Sequence, residues 1–338
     1  MNTNLTFKIK TLLATAAISA GMFLNAAPLW AEPQPLQIPS NGIVLVGKAK
    51  EKYVADFMHK YFNKIKTQAA PPAPFEAPSG WKMEKTEVNG ITLEQMTADN
   101  RKSDRVLLQF HGGGYVGGMS NNHRTLGLRQ ATLANAGEVY FVNYRLAPAH
   151  VYPAALEDAV AVYKELLGRG IKGENIILTG DSAGGNLALE LALYLKENKL
   201  PQPGVISLAS PWTTFEHKKG TSRYYNEEKD VILGKGTPLY IPVKEARYKG
   251  KLDRKDPRLS PIYADLSGLA PILIQAGGNE LFLTESVKLA EKAAADGTIV
   301  TLTVYPGMSH DFALLLPEMQ DSIDSLNEIA DFVNRYMK

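Results

Sequence analysis

The chain contains no cysteine, which excludes disulfide bonds and a lipid anchor on cysteine. It also lacks a His-Glu-x-x-His run or any other cluster with the spacing of metal ligands. No P-loop and no G-x-G-x-x-G run follows a predicted strand, so nothing indicates a nucleotide-binding loop. We therefore expect no metal and no cofactor.

A strong charge imbalance is also missing. The 37 Lys and Arg residues nearly offset the 35 Asp and Glu residues, which leaves a net charge of +2. There is no basic stripe with interleaved aromatic residues, so the sequence gives no electrostatic argument for nucleic-acid binding. Apolar residues make up 45% of the chain, and 338 residues can bury a large core, as in a globular enzyme.

The first residues have the pattern of a secretory signal peptide. Lys8 and Lys10 precede a small, apolar run over residues 11–24, and a cleavage site is expected after Ala31. The alternative is an uncleaved anchor helix, but the run is shorter than the roughly 20 residues that a membrane span needs. We expect residues 1–31 to be removed, the mature chain to have no integral membrane span, and the protein to be exported to the periplasm or the extracellular space.

Two glycine-rich runs carry most of the functional information. The run GDSAG at residues 180–184 fits G-x-S-x-G, a sharp strand-to-helix turn that presents a serine hydroxyl. The run HGGG at residues 111–114 fits a loop that supplies backbone N–H donors to an oxyanion. A predicted buried strand over residues 175–179 and a predicted helix over residues 186–195 flank Ser182, and the helix N-terminus favours negative charge there.

A nucleophilic serine needs a base. In the architecture that contains this turn, the expected order along the chain is serine, then acid, then histidine. Only His217 and His310 follow Ser182. His217 lies in a polar stretch that is typical of a solvated loop. His310 follows a predicted strand over residues 299–305, in a loop that could bring it over the nucleophile, so its position favours it as the base. His111 is expected to brace its loop by hydrogen bonds.

The acid should follow another strand, which is predicted over residues 271–276. Glu280 is the first carboxylate after that strand, and the loop at a strand end points toward the active face of an α/β sheet. Glu280 could instead be a helix-terminal residue stabilised by the helix dipole. Glu285, about one helical turn later, is the alternative acid.

Several further runs strengthen this interpretation. They are YRLAP at residues 144–148, SPW at residues 210–212, ADLSGL at residues 264–269 and GMSHDF at residues 307–312. With HGGG and GDSAGG, they make residues 80–335 resemble the bacterial hormone-sensitive-lipase-like esterases of the α/β-hydrolase fold. One departure is Asn279, where some related sequences carry Asp, which leaves Glu280 as the carboxylate at this site.

The resemblance implies a set of site residues. The implied catalytic triad is Ser182, Glu280 and His310. The implied oxyanion donors are the backbone N–H groups of Gly113, Gly114 and Ala183, and His111, Gly112 and Asp181 support the two motifs.

We expect an α/β fold with a mostly parallel, doubly wound sheet and a helical cap. Residues 32–80 are predicted to hold a cap segment and a Pro-rich link, and residues 81–338 the catalytic domain. An insertion at about residues 212–262 would complete the cap and shape the acyl or alcohol pocket.

The first cap segment contains a predicted amphipathic helix, for which plain core packing is an equally good interpretation. Its apolar face consists of Val54, Phe57, Met58, Tyr61, Phe62 and Ile65. Its predicted solvated face consists of Lys48, Lys50, Lys52, Lys60, Lys64 and Lys66.

These observations predict a serine carboxylesterase that hydrolyses small or short-to-medium acyl esters through an acyl-enzyme. Lactonase, amidase and deacetylase activities would use the same chemistry, and a non-catalytic small-molecule-binding relative is an alternative of another class. The expected partner is a small ester substrate, and a homodimer is possible. A histidine base predicts activity that rises with an apparent pKa of about 6 to 7.

Overall fold

A central sheet positions the two glycine-rich runs and the loops that carry Glu280 and His310. The computed structural model describes residues 33–67 and 72–337, so the predicted signal peptide over residues 1–31 lies outside the described residues. Within those ranges, eight strands form one sheet in the order β1-β2-β4-β3-β5-β6-β7-β8. The strands are β1 (Trp81–Val88), β2 (Ile91–Ala98), β3 (Val106–Phe110), β4 (Glu138–Val142), β5 (Ile176–Asp181), β6 (Val205–Ala209), β7 (Ile272–Gly277) and β8 (Val300–Tyr305).

The strands at one edge are antiparallel and the others are parallel. β1 pairs with β2 and β2 with β4 in antiparallel register, and every pair from β4 through β8 is parallel. Helices connect the parallel strands, as parallel crossovers require. The α-helices of the described chain are α1 (Gly47–Thr67), α2 (Asn121–Leu133), α3 (Ala154–Gly168), α4 (Ala183–Glu197), α5 (Ser222–Tyr225), α6 (Tyr240–Glu245), α7 (Leu283–Ala295), α8 (Phe312–Leu315) and α9 (Gln320–Tyr336). The predicted mostly parallel sheet is confirmed.

Both faces of the sheet are covered, which explains why its central strands are almost wholly apolar. Leu107, Ile177 and Leu273 pack with residues of α2 and α9 in one core cluster. Neighbouring strand residues such as Leu108 and Leu178 point the other way and pack with residues of α3 and α4. This alternation follows from the two-residue period of a strand.

The segment before the sheet docks on the C-terminal part of the chain. Val54 of α1 packs with Met308 and Phe312, which flank His310 in sequence. Lys50 is only 7% exposed, and its Nζ lies 2.7 Å from Oδ1 of Asp321. The prediction that Lys50 belongs to a solvated face was therefore wrong, because this position faces α9 and has an ion-pair partner there.

Residues 212–262 contain the short helices α5 and α6 and several turns. The aromatic residues Trp212, Phe215 and Tyr248 of this insertion are fully buried. Among the described residues, no helix has the length and apolar character that crossing a membrane would require.

Candidate active site

Ser182 occupies a sharp turn between β5 and α4. β5 ends at Asp181 and α4 begins at Ala183, and Ser182 between them has φ 52° and ψ −116°. A positive φ is costly for a residue with a Cβ and persists only where the surrounding structure enforces it. A Cβ on Gly184 would lie 2.0 Å from the Phe110 oxygen, and one on Gly180 would lie 2.3 Å from the Gly184 oxygen. Glycine at both positions therefore allows β3, the turn and α4 to pack closely.

The HGGG loop is tied to this turn by Asp181. The Gly112 N–H donates a 2.9 Å hydrogen bond to Oδ2 of Asp181. Gly113 and Gly114 have positive φ values of 109° and 64°, which glycine adopts without strain. Among residues 33–67 and 72–337, no acceptor takes the backbone N–H of Gly113, Gly114 or Ala183. Three donors are thus free at the two predicted motifs.

His111 is packed as a loop-bracing residue. Its Nδ1 lies 2.7 Å from the Gly112 oxygen, and its ring stacks on Tyr144 at a centroid distance of 4.3 Å. The Tyr144 hydroxyl donates to the His111 carbonyl oxygen at 2.5 Å. Burial lowers the pKa of His111 to about 4, so the ring is neutral near pH 7. These contacts agree with the bracing role expected from the sequence.

His310 lies between two buried carboxylates. It follows β8, it is 1% exposed, and its Nδ1 is 4.0 Å from Oε2 of Glu280. Its Nε2 is 3.1 Å from Oδ2 of Asp311. Neither ring nitrogen forms a hydrogen bond to any described residue. The structure therefore brings His310 beside Glu280 but not into hydrogen-bond contact with Ser182, which is itself 3% exposed.

Glu280 is held by hydrogen bonds on one oxygen. Its Oε2 accepts from the Ser210 hydroxyl at 2.6 Å and from the Gly277 N–H at 2.9 Å. Burial raises the pKa of Glu280, while the nearby His310 and these two hydrogen bonds act in the opposite direction. The carboxyl group is thus oriented at the end of β7, as the strand position predicts.

Glu285, the alternative acid, makes different contacts. Its Oε1 lies 2.7 Å from Nε of Arg223, and its Oε2 accepts from the N–H groups of Thr213 and Thr214, each at 3.0 Å. All three partners belong to the insertion at residues 212–262. Glu285 therefore joins α7 to the insertion, and none of its hydrogen bonds involves His310.

Asp311 lies beside the base but is not among the site residues predicted from the sequence. Its backbone is left-handed, with φ 50° and ψ 38°, and its N–H donates to the Ser210 hydroxyl at 3.1 Å. Ser210 therefore connects Asp311 with Glu280. The signal was visible, because an acidic residue directly follows His310. His217, the alternative base, lies half-buried in the insertion, where burial and the charge of Arg223 lower its pKa.

No group of three or more potential ligands among His, Asp and Glu is arranged to hold a metal ion in the described part of the chain. The candidate site therefore consists of a strained serine, free backbone donors, a buried imidazole and buried carboxylates. Such a set can perform nucleophilic acyl transfer.

Comparisons with known proteins identify hydrolases that are similar to this chain. A family model described as an alpha/beta hydrolase fold matches residues 107–314. An esterase of Acinetobacter venetianus is 34% identical over 247 residues, which are 72% of this chain and 78% of that protein. An acetyl-hydrolase of Streptomyces hygroscopicus is 34% identical over 241 residues, 69% of this chain and 79% of that protein.

Solved structures give the same result. A crystal structure of an esterase from the bacterial hormone-sensitive lipase family superposes with a TM-score of 0.75 at 29% identity, covering 87% of this chain and 100% of that one. The expected family and fold are both confirmed. The chain belongs to the α/β hydrolases and, among them, to the bacterial hormone-sensitive-lipase-like esterases.

Proposed function

We propose that this chain is a serine carboxylesterase that hydrolyses small or short-to-medium acyl esters through an acyl-enzyme intermediate. One observation carries the proposal: Ser182 is held at φ 52° directly before Ala183, in a site where the N–H groups of Gly113 and Gly114 are also free. Strain of this kind persists only where the surrounding structure enforces it, and it is concentrated at active sites.

In the first half-reaction His310 takes the proton of the Ser182 hydroxyl while Oγ attacks the ester carbonyl carbon. The carbonyl oxygen becomes an oxyanion that accepts hydrogen bonds from the three free N–H groups, each contributing about 2.7–4 kcal/mol. The intermediate collapses, the ester C–O bond breaks, and His310 returns the proton to the leaving alcohol. Water then attacks the acyl-enzyme by the same route, which releases the acid and restores Ser182.

Two carboxylates influence the base in this scheme. Glu280 lies on the Nδ1 side of the imidazole and stabilises its cation. Nε2 lies 3.1 Å from Asp311, so the ring must turn from Asp311 toward Ser182 before the first proton transfer. Gly112 and Asp181 position the donor loop through their 2.9 Å hydrogen bond.

Aromatic rings pack against the base. The Phe282 ring contacts His310 edge-on at a centroid distance of 5.0 Å, and Trp212 stacks on Phe282 at 5.8 Å. Trp212 also stacks on Phe215 at 4.1 Å. The names of the relatives favour a short acyl group, since they include an acetyl-hydrolase and an ethyl acetate hydrolase of Pseudomonas putida. Lactonase, amidase and deacetylase activities remain alternatives that share this chemistry.

Rates of hydrolysis of p-nitrophenyl esters with acyl chains of increasing length test the proposal. Wild type should be fastest on acetyl and butyryl esters and slow on decanoyl and longer esters. Ser182→Ala should lose turnover by several orders of magnitude on every ester, up to about 10⁶-fold. Ser309→Ala removes another buried serine hydroxyl and serves as the matched control, which should retain activity. Fastest turnover on palmitoyl esters, or an active Ser182→Ala enzyme, would contradict the proposal.

We further propose that the protein is exported and that residues 32–80 and 212–262 together form the cap. The charged and then apolar pattern of residues 8–24 supports export. Cell fractionation and N-terminal sequencing of the mature protein test the proposed export, and an intact Met1 on protein retained in the cytoplasm would contradict it.

Light scattering on the purified enzyme would measure whether a homodimer forms.

A further inference from the structure

A cavity of about 580 Å³ lies between α3, α4 and residues 257–264 of the chain. This volume is within the range of sites that bind small molecules. Tyr152, Leu156, Val160 and Leu193 provide much of its apolar wall. None of these residues takes part in the proposed ester hydrolysis, so the cavity is not explained by that reaction.

Glu190 of α4 lines this cavity and has no partner. It is 3% exposed, and neither of its carboxylate oxygens receives a hydrogen bond from the described residues. Buried polar groups in proteins are nearly always hydrogen-bonded, because leaving one unpaired costs free energy. Burial raises the pKa of Glu190 well above its usual range, as expected for a carboxyl group without a counter-charge. An unpaired acid in a cavity wall points to a bound molecule that satisfies it.

The other charged residues around the cavity already have partners or face solvent. Arg258 is held by Asp256, with Nε 2.9 Å from Oδ1 and Nη2 2.6 Å from Oδ2. Glu157 pairs with Arg145 at 2.9 Å. The two remaining charges, Lys164 and Glu197, are opposite in sign and both exposed. Of the charged residues that line the cavity, Glu190 is thus the one that is both buried and unpaired.

Aromatic rings complete the environment. Tyr152 and Tyr194 both line the cavity, and the faces of such rings attract cations. Nζ of Lys164 already lies 5.6 Å from the centroid of the Tyr194 ring. A carboxylate, aromatic faces and an apolar wall together match a ligand with one positive charge and an apolar body. An anion would be repelled by Glu190, and of the two cations in the lining Arg258 is occupied by Asp256 and Lys164 is exposed to solvent.

We propose that this cavity is a binding site for a small amphipathic amine. The ammonium group would donate to the carboxylate of Glu190, and the apolar body would lie against Leu156, Val160 and Leu193. The proposal does not depend on ester hydrolysis, since it rests on residues outside the site of Ser182.

Calorimetric titration with phenylethylamine at mildly alkaline pH tests the proposal. The amine should bind wild type and bind Glu190→Gln at least about tenfold more weakly, because the charge-assisted hydrogen bond is lost. Glu197→Gln removes an exposed carboxylate from the same cavity and is the matched control, with unchanged affinity. Phenylethyl alcohol and phenylpropionate, which have similar bodies but no positive charge, should bind more weakly than the amine.

A second variant locates the binding. Ala161 lines the cavity and is half-buried, so Ala161→Trp should fill the space and abolish amine binding while ester turnover continues. This variant decides the question even if Glu190→Gln does not fold. The proposal is overturned if wild type fails to bind the amine, if Ala161→Trp binds it normally, if folded Glu190→Gln binds it as well as wild type does, or if an uncharged or anionic analogue binds more tightly.

Discussion

Nε2 of His310 lies 3.1 Å from Oδ2 of Asp311, the next residue in the chain. This contact depends on the left-handed backbone of Asp311, with φ 50°, and on the hydrogen bond of its N–H to Ser210. Nε2 is the nitrogen that would receive the proton of Ser182 in the proposed mechanism. Asp311 therefore competes with the nucleophile for the same atom and favours the protonated imidazole.

The pH dependence of activity should reflect this competition. Burial disfavours the charged ring, but the carboxylates of Asp311 and Glu280 together raise the pKa of His310 above its usual 6.5. The base acts only when neutral, so activity should rise as pH increases through the raised pKa, above the interval of 6 to 7 that the sequence suggests. A pH profile of kcat/KM for an acetyl ester measures the midpoint.

Asp311→Asn should move that midpoint toward acid by about one unit or more, since one negative charge near His310 is lost. Asp331→Asn, at an exposed position on α9, is the control and should leave the midpoint in place. A midpoint that is unchanged in Asp311→Asn would show that this carboxylate does not control the base.

The two candidate acids should give opposite phenotypes. Glu280→Gln should lower kcat by up to about 10⁴-fold with little change in KM, because the acid acts on the base and not on the substrate. Glu285→Gln should retain kcat at low temperature but lose about 3 kcal/mol of stability, because it leaves buried Arg223 without its ion partner. Kinetics and thermal unfolding of both variants measure the difference. A reversal of the two phenotypes would assign the catalytic acid to Glu285.

The fold and the positions of the serine turn and of the loop that carries Glu280 could be predicted from the sequence for a physical reason, and the family from the resemblance of its motifs. Apolar strands buried on both faces, sharp glycine turns and the order serine, acid, histidine all leave local patterns. Ser182 at the end of β5 and Glu280 at the end of β7 follow from such patterns.

Other features depend on contacts between distant segments. The partner of Lys50 is Asp321, and the partner of Glu285 is Arg223. A local pattern does not show where the Arg223 side chain lies, so the sequence does not predict the ion pair of Glu285. The orientation of Asp311 likewise requires its backbone angles, which its residue type does not determine.

The contact between α1 and α9 should contribute to stability. Lys50→Ala leaves the partly buried Asp321 without its cation and should cost about 1–3 kcal/mol, measured by chemical denaturation. Lys52→Ala breaks an exposed pair with Asp56 on the same helix and should leave the unfolding midpoint unchanged. Equal effects of the two substitutions would argue that α1 is only loosely attached.

The packing of the serine turn gives a prediction about glycine. Gly184→Ala would place a Cβ 2.0 Å from the Phe110 oxygen, so it should cost at least about 4 kcal/mol or prevent folding. Gly168→Ala, at the end of α3, meets no atom within 4 Å and should be neutral or stabilising, by up to about 1 kcal/mol. Thermal unfolding of both variants tests this, and a stable Gly184→Ala protein would show that β3 and α4 can separate.

Covalent labelling tests the central claim most directly. A fluorophosphonate reacts with an activated serine and leaves an adduct whose position peptide mass spectrometry identifies. The account predicts one adduct, on Ser182, formed in step with the loss of ester turnover, and no adduct in Ser182→Ala. It also predicts slower labelling of His310→Ala, because the base is missing. Ester turnover that persists without an adduct on Ser182, or an adduct on another serine that tracks the loss of activity, would contradict it.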